Sequence, residues 1–103
     1  MAQRLTCSLF ADHLGERFRI VIDADDALEV ELIEAVELAS HATEDDEDHI
    51  RRDPFSLLFL GPKESYLPQR TYELEHPQLE PFQAFVVPIG PNKQGMRFEI
   101  IFN

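Results

Sequence analysis

The chain has 103 residues, 44% of them hydrophobic with 8 Phe, and a formal net charge of −11, which describes one domain able to bury its own core and excludes a disordered or fibrous chain. Acidic residues concentrate between Asp23 and Asp53, 13 against 2 basic ones, and the rest of the chain balances; with no clustered Lys or Arg beyond Arg51-Arg52, nucleic acid and anionic membranes are poor partners. One cysteine, Cys7, precludes an intrachain disulfide or a thiolate metal cluster. The first ten residues lack a signal peptide's apolar run and no stretch approaches the length of a membrane span, so a cytoplasmic protein is the expectation.

Taken in chain order, Thr6 can accept the first free N–H groups of a short helix that Gly15 ends, with Cys7, Phe10 and Leu14 on one face. Arg17 to Asp23 alternates at Phe18, Ile20 and Ile22, the period of a half-buried strand. A turn at Asp25-Asp26 leads into Leu28, Val30 and Leu32 facing inward, with Glu29 and Glu31 outward, so the two segments pair as a hairpin. The parity then breaks, because Glu34 falls in the register of Val36 and Leu38. A bulge or a helix accommodates this over Ala27 to Ala39, and the clean alternation before the break favours a bulged strand over the helical propensity of Leu, Glu and Ala.

Residues 39–53 offer almost nothing apolar and hold five consecutive acids, which reads as a mobile loop inside a single domain spanning 1–103. Phe55 to Gly61 is a nearly continuous apolar strand, implying cover on both faces, and Gly61-Pro62 stops it. Gln69 to His76 is the fourth strand, with Tyr72 and Leu74 on one side and Pro77 as its end. Phe82 to Gly90 is the fifth, and Pro88 within it marks a sheet edge or a bulge, since it has no N–H for a ladder. Met96 to Phe102 alternates Met96, Phe98, Ile100 and Phe102 inward. The predicted fold is therefore mainly β: a six-stranded antiparallel roll or small barrel, with one short N-terminal helix plugging an end or covering an edge.

Candidate chemistry is sparse. Glu44, Asp45, Asp46, Glu47 and Asp48 could supply oxygens to Ca²⁺ or Mg²⁺, but they lack the alternation, central Gly and distal Glu of a calcium loop. His41 and His49 flank them without a supporting zinc motif. His13 and His76 read as isolated side chains. Cys7 at a helix start feels a dipole that would favour a thiolate, yet its place on the stripe with Phe10 and Leu14 favours a small buried hydrophobe. Glu29 and Glu31 have the spacing of an acid–base pair, although exposed strand glutamates more often serve solubility. No phosphate loop, nucleophile elbow or dinucleotide fingerprint occurs, and nothing calls for a cofactor.

The segments Pro54-Phe-Ser-Leu-Leu-Phe-Leu-Gly-Pro62, Leu67-Pro-Gln-Arg-Thr-Tyr-Glu-Leu-Glu-His76, Val87-Pro-Ile-Gly-Pro91 and Gly95-Met-Arg-Phe-Glu-Ile-Ile-Phe-Asn103 make the chain resemble a small bacterial family of unknown function. The resemblance runs over nearly the whole chain, including Phe10, Gly15 and Phe18. It implies a compact strand-rich domain that is the complete protein, and it brings no assigned activity or catalytic residue.

The residues thus predict a non-catalytic structural or interaction module, monomeric or weakly self-associating. Its partner is an unidentified protein, a cationic one being electrostatically allowed, met on an edge near Pro88 or on the strand face carrying Glu29, Glu31, Glu34 and Glu37. Two alternatives stand beside it: a small-ligand-binding barrel or enzyme with an enclosed cavity, and divalent-cation binding by the acidic loop.

Overall fold

The computed structural model describes residues 5–38 and 54–102. A short helix, α1 (Cys7–Ala11), precedes β1 (Arg17–Asp23), β2 (Asp26–Glu37), β3 (Phe55–Gly61), β4 (Arg70–His76), β5 (Leu79–Pro91) and β6 (Met96–Phe102). All neighbours pair antiparallel. The sheet closes as a barrel in the order β1-β2-β3-β6-β5-β4, and the closing seam between β1 and β4 has three paired positions. The six strands and single helix read from the sequence are all present.

Closure removes the sheet edge foreseen near Pro88. Pro88 pairs with Phe98 and Gly90 with Arg97, so Ile89 is the extra residue of a bulge, and Gly90 takes a φ of +103° just beyond it. The missing N–H of Pro88 is accommodated by local irregularity in an interior strand. The break in β2 has the same solution. Leu32 opposes Phe59 and Glu34 opposes Leu58, leaving Ile33 unpaired. The bulge swaps the parity: Val30 and Leu32 face inward before it, while after it Ala35 packs on the core and Glu34 and Val36 are exposed. A continuous alternation would have buried the Glu34 carboxylate at a cost of several kcal/mol or forced its protonation.

Thr6 caps α1 as the sequence indicates, its Oγ1 accepting from Leu9 N at 3.1 Å. The helix stops at Ala11, however, and turns carry the chain to Gly15, which has a φ of +84°. Leu14 therefore leaves the helical face predicted for it and is 47% exposed. Gly15 N donates to Leu32 O and Leu32 N to Glu16 O, so this connector continues the β1–β2 ladder.

The interior is filled by side chains. Phe10 from α1 is fully buried at one end of the barrel, with its ring 5.4 Å from Phe82, 5.9 Å from Phe55 and Phe102, and 6.2 Å from Phe18. Phe18, Phe59 and Phe98 continue the aromatic column, surrounded by Ile20, Val30, Leu32, Leu57, Leu74, Val86 and Ile100. Since β3 and β4 lie on opposite sides of the barrel, the 62–69 connection crosses the other end. It drops Leu67 into the core and is tied down by Tyr72 Oη donating to Pro68 O at 2.7 Å. The predicted enclosed cavity thus meets a core packed with aromatic and branched side chains. β3 is buried on its inward face only, its outward Ser56, Leu58 and Leu60 being half-buried.

Candidate functional site

The polar cluster His13, Glu16 and His76 forms where the α1–β1 connector meets the end of β4. The period-two parity of Tyr72 and Leu74 carries His76 inward, and its side chain is only 3% exposed. His13 and Glu16 are three apart in the turns after α1, the spacing that brings side chains together on a helical turn. Glu16 Oε1 lies 2.9 Å from His13 Nδ1 and 2.7 Å from His76 Nε2, while Gln78 N donates to His76 Nδ1 at 3.1 Å. That backbone donor fixes the tautomer. Nδ1 of His76 accepts, so Nε2 carries the proton and donates to Glu16. The two imidazoles sit 4.7 Å apart, and His76 rests 4.6 Å from the Phe18 ring. The hydrogen bonds from His13 and His76 hold the Glu16 carboxyl below its usual range.

The two histidines that read as isolated are therefore partners, and His13 lies past the helix rather than on it. Two signals in the sequence pointed this way: the parity of His76 and the His13/Glu16 spacing. Their long-range meeting depends on barrel closure, which no local pattern encodes.

Three ligand-type atoms of this cluster lie within 4.8 Å of one another. A metal ion on His76 Nε2 requires the lone pair there and the ring proton on Nδ1. Nδ1 faces the Gln78 N–H, so two donors would oppose each other. The arrangement fits two N–H groups converging on one carboxylate oxygen and does not fit an ion.

Outside the barrel, a shallow groove of about 540 Å³ runs past His76, lined by Arg17, Arg19, Glu29, Glu75, Pro77 and Leu79 among others. Arg17 reaches Glu29 at 3.4 Å and Arg19 reaches Glu75 at 3.8 Å, both pairs substantially exposed and thus worth little stability. Glu29 and Glu31 stand opposite Arg19 and Arg17 in the β1–β2 register. Of the four strand glutamates, Glu29, Glu31 and Glu34 point outward. Glu37 follows the inward parity of Ala35 but is exposed at the strand end, near Cys7. Burial, with the Glu37 charge added, pushes the Cys7 thiol up, and Cys7 packs against the core. That is the small-hydrophobe role, opposite to an activated thiolate. Glu44 to Asp48, His41 and His49 lie outside the described residues.

A second surface emerges from the register across β2, β3, β6 and β5. Val36 pairs with Ser56 and Ser56 with Ile101; two residues along, Glu34 pairs with Leu58, Leu58 with Glu99, and Glu99 with Val87. Phe85 precedes Val86, the partner of Ile100, and so adjoins Ile101. Val36, Phe85 and Ile101 are 45%, 48% and 48% exposed. One row is apolar but for Ser56, and the next alternates carboxylates with Leu58 and Val87. Among the described residues, no ion pair engages Glu34 or Glu99. Of this face, the sequence singled out Glu34 alone; the apolar members come from strands distant in the chain.

A family model described as a domain of unknown function (DUF6916) matches residues 5–102, and the chain belongs to this family. No curated protein and no solved structure matches it. No described helix is long and apolar enough to cross a membrane.

Proposed function

We propose that this member of a family of unknown function is a non-catalytic protein-interaction module, which receives its partner on the outer face of β2, β3, β6 and β5. The observation that carries the reading is the exposure of Val36, Ile101 and Phe85 in one row, Phe85 beside Ile101 and Val36 beyond Ser56, on the outside of a barrel whose inside is filled. Single exposed apolar residues are ordinary, but several sharing one row of a sheet face, two of them side by side, point to an interface. Closure shapes how a partner engages. Among the described residues every strand is flanked by two others, so an incoming chain finds no edge strand to extend and is recognised mainly through side chains.

The rival reading, a ligand-binding barrel or enzyme, is opposed by the interior packing and is left with the shallow groove beside His76. The test of the interaction reading is affinity capture from the source cell with the wild-type domain and with the double variant Phe85→Glu/Ile101→Glu. The wild type retains a protein that the double variant loses, while Tyr66→Glu, a substitution on the 62–69 crossing, retains it. Capture that is equal for wild type and a folded double variant overturns the assignment of this face.

A further inference from the structure

We infer that the partner of this face is a cationic amphipathic helix, an assignment that rests on the docking role proposed above and specifies its chemistry. The face is not merely apolar. Glu34 and Glu99 flank Leu58 on the row next to Val36 and Ile101, and the described residues of these two rows include no cation. Each pair, Glu34 with Glu99 and Val36 with Ile101, is two strands apart, about 9.6 Å at ordinary strand spacing. Residues i and i+7 on one side of a helix are about 10.5 Å apart. A helix lying across β2, β3 and β6 therefore places apolar side chains over Val36 and Ile101. Small residues between them sit over Ser56. Its neighbouring stripe brings Lys or Arg over Glu34 and Glu99, whose backbone positions lie about 6.8 Å along the strands from the apolar row.

Phe85, adjoining Ile101, extends the apolar row beyond the helix end and offers the large aromatic contact typical of an interface anchor. A second copy of this chain fits poorly. Each copy carries −11, and a self-pairing face would set Glu34 and Glu99 against like charges. An extended strand lying over this face fits poorly as well, because β3 and β6 beneath it are paired on both sides and give its backbone nothing to pair with.

The test uses the full chain and two fluorescein-labelled synthetic helices of equal length and equal apolar stripe, one flanked by Lys and the other by Glu. The Lys helix binds. It weakens at least tenfold when NaCl rises from about 0.05 to 0.3 M, as exposed charges are screened. Glu34→Gln/Glu99→Gln and Phe85→Ser/Ile101→Ser each weaken it at least fivefold, and amide shifts on binding centre on Val36, Leu58, Glu99 and Ile101.

If both helices bind alike and only the apolar double variant loses them, the docking face stands and the cationic partner is overturned. Lys-helix binding that both double variants leave intact places the contact elsewhere and overturns the inference and the face together. Concentration-dependent dimerisation abolished by Phe85→Ser/Ile101→Ser assigns the face to a second copy and likewise overturns it. Unchanged far-ultraviolet circular dichroism and cooperative melting of every variant keep a loss of binding distinct from a loss of fold.

Discussion

Glu16 joins the α1–β1 connector to the end of β4. It accepts from His13 on its own turn and from His76 sixty positions on, and both bonds favour its charged form. A carboxyl whose folded value lies below its unfolded value contributes stability that is complete above the unfolded value and is lost as pH falls through the folded one. The stability difference between the wild type and Glu16→Gln should therefore be largest near neutrality and shrink in acid, below the ordinary carboxylate range. Urea unfolding of both proteins at a series of pH values measures it, and a difference that grows in acid contradicts the assignment. Gln78 adds a constraint of another kind, since its amide on His76 Nδ1 makes that ring a donor toward Glu16. The chemistry of the cluster is thus set by one backbone group.

The bulges are the elements that reconcile sequence with closure. In β2 the extra residue is Ile33, and without it Leu32 would still face inward, Glu34 outward and Ala35 inward, each against its present partner. Deleting Ile33 should leave a folded protein with cooperative thermal unfolding at reduced stability. Deleting Leu58 from the bulge-free β3 reverses the facing of half that strand, exposing Phe55 and Leu57 or Phe59, and should abolish the transition. Thermal scans followed by circular dichroism distinguish the two. These strands were legible in the sequence because Phe18, Ile20, Ile22 and then Leu28, Val30, Leu32 alternate strictly, and the parity fault at Glu34 located the β2 irregularity within a residue. The helix was less legible. Leu14 sits at helical spacing from Phe10, but the connector's ladder bonds to Leu32 end the helix first. The His13–Glu16–His76 cluster and the Val36–Ile101–Phe85 row were not legible as units, because the first joins elements that meet at the closing seam and the second spans strands brought together by long-range pairing.

For the molecule as a whole, the excess of acid has no matching set of cations, and the ion pairs between Arg17 and Glu29 and between Arg19 and Glu75 are exposed. Such a surface repels itself, and the repulsion is relieved by salt. The midpoint of thermal unfolding should rise as NaCl increases from about 0.05 to 0.5 M, with most of the gain at the low end, where the screening length still exceeds the spacing of neighbouring charges. A midpoint that falls over this range means that the exposed pairs outweigh the net repulsion. The closing seam has a further meaning at this scale. β1 and β4 pair at Arg19, Ile20 and Val21 alone, and the next partner down the ladder would set Phe18 beside His76, with Pro77 following. Pro77 cannot donate, so the backbone zipper ends there. Where it ends, Phe18 packs against the His76 ring, and Glu16 grips that ring from the far side of the gap. The polar cluster is in this sense a clasp: a side-chain fastening at the place where the barrel runs out of main-chain stitches.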